Sequence, residues 1–374
     1  MDRRSFISSS GAAAAAAMLG YGRTADALAP APQAARAQTA RKRALMRPGA
    51  TLRRLDDDAI KGVARFGIQG LIASPEIADE GRLYATVDEL KRLREVADRN
   101  GVKVEILTPP NLASSHIDRE RNPAIMLGES PQRDRDIEAV QTMIRNCSAA
   151  GIPGIKYNMS ILGVLRTGRK EGRAGTSYSY FKLADAKPAT PLTKAGRVTE
   201  DMYWERITYF LDRVIPVANE YKVRMACHPN DSMTPPEGYQ GVNAVLSTVE
   251  GLKKFVSIQE SPYHGLNFCQ GTVSEMLQDP GREVYDVIRY FGERKKIFMV
   301  HFRNITGNRQ EFAEVAPDEG VVDMAKAMMV YRDVGYDGII VPDHAVQFPN
   351  DSGQYMAFVY GYINALIKAA DLPA

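Results

Sequence analysis

The 374-residue chain has little cysteine, little histidine and no marked excess of either charge. Three cysteines in a chain this long cannot build a disulfide framework. With 48 Lys+Arg against 45 Asp+Glu, a formal net charge of +3, there is no basic footprint for nucleic acid. No apolar run approaches the ~20 residues of a membrane span. No G-x-G-x-x-G follows the first predicted strand, which argues against a dinucleotide site. What is present is an ordinary globular mix, 44% hydrophobic and 25% charged. The length suits one barrel-sized domain or two medium ones.

The chain opens Met1-Asp2-Arg3-Arg4-Ser5-Phe6-Ile7, a twin arginine followed by a small residue, Phe and an aliphatic residue. That is the pattern of a twin-arginine export signal. A weakly hydrophobic Ala run, Gly11 to Gly20, follows, and Ala25-Asp26-Ala27 and Ala27-Leu28-Ala29 each offer a small-x-small cleavage site. Residues 1–29 are therefore predicted to be a signal peptide and 30–42 a flexible leader, with the mature protein periplasmic or secreted. This route carries folded proteins, which allows a metal to be loaded before export.

From about residue 43, short apolar runs alternate with amphipathic helical stretches, the pattern of βα units. Strands are expected at Ala44–Met46, Ile68–Ala73, Lys103–Leu107, Gly154–Tyr157, Val223–Cys227, Leu266–Cys269, Ile297–His301 and Gly338–Val341. Between them, helices are expected that end in Gly at Asn100-Gly101, Ala150-Gly151 and Val334-Gly335. Eight strands with intervening helices favour a single α/β domain, a (β/α)8 TIM barrel over residues 43–374, rather than an open doubly wound sheet. The basic, Gly-rich stretch from Gly163 to Gly175 reads either as part of a lid-like insertion, around 158–200, or as a solvated loop.

The rare residues fall at strand ends. His228 follows the fifth strand, while Cys269, His301 and Asp343 close or follow the sixth, seventh and eighth. In a barrel these ends converge on the active site. Two imidazoles, one thiolate and one carboxylate form a coherent set for Mn²⁺, Fe²⁺ or Zn²⁺. Singly, each is more often a structural residue; four at four successive strand ends make a ligand set. Cys227 should point to the opposite side of its strand from His228 and pack. His116 and His264 read as structural. His344, next to Asp343, is a candidate general acid or base. Tyr355, in the segment Asp351-Ser352-Gly353-Gln354-Tyr355, either covers the same site or simply starts a helix.

The motifs resemble the mannonate dehydratase family, metal-dependent barrels related in architecture to xylose isomerase. The likeness runs from about Arg47 to Ala365. It rests on Trp204 to Val217, on Ala226-Cys227-His228-Pro229-Asn230-Asp231, and on Ser261-Pro262 with Gly265 to Gly271. It rests also on His301-Phe302-Arg303-Asn304, Gly320-Val321-Val322-Asp323-Met324, Pro342-Asp343-His344, and Tyr157-Asn158-Met159 with Arg166-Thr167. The resemblance implies a divalent metal, usually Mn²⁺, on His228, Cys269, His301 and Asp343. It implies catalytic roles at His344 and Tyr355, a substrate lining that includes Asn158 and Arg166, and Arg303 on the substrate carboxylate. Four positions depart from the family pattern: Asn230 for Asp, His264 for Asn, Ala345 for Gly, and no His near Pro317. The export signal is a further departure, since this catabolism is normally cytoplasmic.

The reaction so implied is loss of water from a sugar acid, D-mannonate to 2-keto-3-deoxy-D-gluconate or a close analogue. One of His344 and Tyr355 would take the proton α to the carboxylate and the other would protonate the departing hydroxyl. Two alternatives are a xylose isomerase-like sugar isomerase or epimerase, and a periplasmic sugar-acid binding protein on a degenerate barrel. The expected partner is a small sugar acid, with no nucleic acid and no membrane span in the mature chain. Composition leaves homo-oligomer formation open.

Overall fold

The computed structural model describes residues 42–372 apart from 80, 188–189, 232–233, 236 and 351–352. The predicted signal peptide and residues 30–41 of the predicted leader lie outside the described residues. Twelve strands are found among those described: β1 (Arg47–Leu52), β2 (Gly70–Ala73), β3 (Lys103–Leu107), β4 (Gly154–Asn158), β5 (Gly168–Glu171), β6 (Ser177–Lys182), β7 (Arg224–His228), β8 (His264–Cys269), β9 (Ile297–His301), β10 (Asn304–Asn308), β11 (Glu311–Val315) and β12 (Ile339–Val341). Eight of them close a parallel barrel in the order β1-β12-β9-β8-β7-β4-β3-β2. A helix follows each barrel strand, from Asp57–Ala64 after β1 to Gln354–Asp371 after β12. The architecture is a xylose isomerase-like TIM barrel.

Local chemistry sets these elements. The Val87–Asp98 helix starts at Thr86, whose hydroxyl accepts from Glu89 N–H while the Glu89 carboxylate accepts from Thr86 N–H, a reciprocal cap. It buries Leu90, Leu93 and Ala97 on one face. Gly101, Gly151 and Gly335 adopt φ of 72°, 74° and 67° just after helices, where a side chain would be strained. The lumen is plugged by Ile72, Ile106, Ala226, Met299, Ile339 and Val341. Gly49 makes room for that plug, since a Cβ there would lie 2.9 Å from the Ile339 Cβ and the Val341 Cγ2.

Two features differ from the expectation. The first strand lies at Arg47–Leu52, not Ala44–Met46. Its Pro and Gly depress strand propensity, yet both are accommodated. Arg47 N–H donates to Gly338 O, the Pro48 carbonyl accepts from Gln69 N–H, and Gly49 fits the lumen. The second difference is a four-stranded antiparallel sheet, ordered β10-β11-β6-β5, that pattern reading did not find. It is built from the segment between β4 and β7 and the one between β9 and β12. Within the expected insertion, β5 pairs with β6 and β6 with β11.

Candidate metal centre and its carboxylate network

The carboxyl ends of β7, β8, β9 and β12 bring His228, Cys269, His301 and Asp343 together. One ligand atom from each lies within 4.8 Å of all the others. His228 is the last residue of β7, Cys269 of β8 and His301 of β9, while Asp343 lies two residues beyond β12. The rings of His228 and His301 are 5.2 Å apart.

Their hydrogen bonds fit a cation. His228 Nδ1 sits 2.6 Å from the Pro229 carbonyl, so Nδ1 carries the proton and Nε2 keeps its lone pair. His301 Nδ1 is buried without a hydrogen-bond partner, 3.4 Å from Asp343 Oδ1. A buried imidazole nitrogen without a partner is costly unless a ligand meets it. Burial disfavours the charge on both imidazoles and holds their pKa values below the usual range, His301 far below. Cys269 Sγ lies 3.1 Å from the Thr272 hydroxyl and 3.7 Å from an Arg303 nitrogen, donors suited to a thiolate. Without a cation, burial and the carboxylates of Asp343 and Asp231 push the thiol far up. Burial opposes the charge on Asp343, but His301, His344 and Arg303 outweigh it and hold that carboxyl well below its usual range.

Beside the quartet lies a network that the sequence did not reveal. Arg303 donates to Glu275 (2.5 Å), Glu314 (2.8 Å), Asp231 (3.2 Å) and Asp343 (3.2 Å), and to the Thr272 hydroxyl (3.0 Å). Its side chain is 2% exposed. The resemblance places Arg303 on the substrate carboxylate; in this structure its donors meet the protein's own acids. Arg166 joins the same group, paired with Glu314 and lying 3.2 Å from Glu275. Asn158, buried at the end of β4, donates its amide to the Ala113 carbonyl at 2.8 Å. Gly271 permits the arrangement, because a Cβ there would lie 2.5 Å from Arg303 Nε.

Glu314 of β11 also reaches His344, Oε1 to Nδ1 at 2.6 Å. The Nε2 edge of that ring lies 4.0 Å from Asp343 Oδ1. Burial opposes the charge on His344, but Asp343 and Glu314 prevail and raise its pKa to about 9. Tyr355 sits in the first turn of the last helix, buried, with its ring 5.2 Å from Phe348. Burial raises its phenol well above the usual range, against a hydrogen bond with the Val346 backbone. A signal for Glu314 did exist: Glu311-Phe312-Ala313-Glu314-Val315, after the turn-forming Gly307 to Gln310, reads as the second arm of a hairpin.

The remaining motif residues are structural. Asn230, one of the departures, accepts from Leu246 N–H and donates to the Met159 carbonyl. Asn304 donates to the Pro317 and Val322 carbonyls and lies against Gly320, where a Cβ would come within 2.1 Å. His264 is at the opposite end of β8 from Cys269, 2.9 Å from the Phe255 carbonyl. His116 Nδ1 accepts from Asp118 N–H.

Fold and site together define a class: a xylose isomerase-like barrel with a potential metal centre at the carboxyl ends of its strands. Comparison with known proteins narrows this. Residues 186–373, half of the chain, match the model of the family described as D-mannonate dehydratase (UxuA). The chain belongs to the mannonate dehydratase family, whose members are hydro-lyases. A mannonate dehydratase of Thermotoga petrophila is 29% identical over 315 residues, covering 74% of this chain and 82% of that protein. One from Shouchella clausii is 27% identical over 319 residues, covering 76% and 84%. The crystal structure of mannonate dehydratase from Streptococcus suis serotype 2 superposes with a TM-score of 0.73 at 24% identity, covering 87% of this chain and 93% of that one. A xylose isomerase domain protein from Planctomyces limnophilus shares the fold at a TM-score of 0.54 and 11% identity.

Proposed function

We propose that this protein removes water from D-mannonate to give 2-keto-3-deoxy-D-gluconate, with Mn²⁺ held by His228, Cys269, His301 and Asp343. The observation that carries the reading is the convergence of these four donors beside the His344–Glu314 pair, in a chain of this family. Fe²⁺ and Zn²⁺ suit the same mixed donor set. A divalent ion held there would supply a Lewis acid, easing the charge that develops when C2 loses its proton.

The chain's own residues do the rest. Glu314 fixes the His344 ring through Nδ1 and leaves Nε2 as the edge that handles a proton. His344 owes its charge to Asp343 and Glu314; were Asp343 engaged as a ligand, that support would weaken, and the neutral ring would take the C2 proton at Nε2. Tyr355, kept protonated by burial, would give a proton to the hydroxyl leaving C3. One proton is taken and one returned, so water leaves and the enol that remains becomes the keto-deoxy acid.

Incubating the Mn²⁺-loaded protein with D-mannonate and following the keto-deoxy acid tests the activity; bound metal without product would sink it. His344→Ala should lower kcat by ~10²–10⁴-fold with metal content unchanged. If that variant loses its metal, His344 is a ligand and the assignment of roles is wrong.

We also propose that residues 1–29 direct export by the twin-arginine route, on the motif at Arg3-Arg4. Changing both arginines to lysine should keep the protein in the cytoplasm, as read by cell fractionation. Unchanged export would discard the signal.

A further inference from the structure

Lys156 stands at a point where the barrel itself has no use for a cation. It is the middle residue of β4, between Ile155 and Tyr157, which pack outward into the main core. The Tyr157 ring lies 5.5 Å from that of Phe210 on the outer helix Glu200–Tyr221. Side chains alternate along a strand, so Lys156 projects into the lumen, where its register partner on β7 is the plug residue Ala226. Two residues further on, Asn158 pairs with His228. That is ~6.6 Å of strand rise, a distance a lysine side chain spans, so the ammonium approaches the level of the four donors from below. It interacts electrostatically with Asp343, Cys269 and Asp231, and with His228 and His301.

Among the described residues, no hydrogen bond or ion pair holds this ammonium. The other cations here are held: Arg303 by four carboxylates, Arg166 by Glu275 and Glu314, His344 by Glu314. A partly buried, unpaired ammonium is costly, and burial pushes its pKa down accordingly. An apolar side chain would fill the lumen without that cost. The ammonium is matched when an anion enters the site.

We infer that Lys156 is the substrate-binding residue that receives the carboxylate of the sugar acid, through a charge-assisted hydrogen bond from the floor of the site. The inference rests on the sugar-acid reading above. It gives the carboxylate a cationic partner besides Arg303, whose nitrogens already meet four acids.

Equilibrium dialysis of the Mn²⁺-loaded protein with D-mannonate, in a His344→Ala background that slows turnover, tests this. Adding Lys156→Met should raise Kd by ~10–100-fold, and adding Lys156→Arg should restore most of the affinity. In the otherwise natural chain Lys156→Met should raise KM more than it lowers kcat. Mn²⁺ content and inhibition by neutral D-mannose should not change, and the melting temperature should hold or rise. Equal D-mannonate affinity in parent and Lys156→Met, or parallel loss for D-mannose, or loss of Mn²⁺, would overturn the lysine's role while leaving the activity standing. Failure of the natural chain itself to bind or convert D-mannonate removes the proposed activity, and this inference with it.

Discussion

Cys269→Ala should abolish divalent-metal binding and lower turnover at least ~10³-fold, the several kcal/mol a Lewis acid contributes to a reaction of this kind. The reason lies in the donor set. His228, His301 and Asp343 remain, but the sulfur is gone, and three protein ligands hold a divalent ion less tightly than four. The fold should suffer little. Cys269 is fully buried and small, so the cavity left by one sulfur costs about 1 kcal/mol. Metal content by plasma mass spectrometry and a denaturant midpoint on the same preparation separate the two effects. A variant that keeps its metal at the natural stoichiometry and turns substrate over would take Cys269 out of the site. In the natural protein the thiol is driven far up without metal. Metal uptake should therefore release a proton, and apparent affinity should fall as pH falls.

The convergence of His228, Cys269, His301 and Asp343 was legible because it depends on only two things, the ends of eight strands and the rarity of His and Cys. Both are written in the chain: strand ends follow from apolar runs, and few residues compete for notice there. What was not legible depends on direction. Lys156 in Gly154-Ile155-Lys156-Tyr157-Asn158 looks like an ordinary polar break in a strand, because the pattern does not say which alternate face is the lumen. Glu275 lies in a short turn of helix after β8, where an acidic residue is commonplace until Arg166 and Arg303 arrive from distant segments. Glu314 needed the β10–β11 hairpin, and the hairpin gains its place only by pairing with β6, which lies over 120 residues earlier. The motif resemblance read Arg303 as a substrate partner. A guanidinium near a metal suggests an anion, and only the folded chain shows that four of the protein's own acids already surround this one.

That internal network gives the second large effect. Arg303→Met should destabilise the protein by ~3–5 kcal/mol, the cost of breaking a buried ion network by removing one partner. Asp231, Glu275, Glu314 and Asp343 would lose the cation they share, with Arg166 left to serve three of them. Glu275, whose carboxyl is already pushed up by burial, would take a proton first. Arg303→Lys should fall between the two, because a lysine restores the charge but not the fork that spans four carboxylates at once. Saturating divalent metal should recover part of the loss in both variants, since it binds the folded state alone and relieves the repulsion at Asp343. Denaturant midpoints with and without metal measure this. A residue that merely held a substrate carboxylate would behave in the opposite way: Arg303→Met would leave the midpoint where it is and raise KM. The geometry predicts the first pattern, since every Arg303 nitrogen lies within hydrogen-bonding distance of a protein carboxylate before any ligand enters.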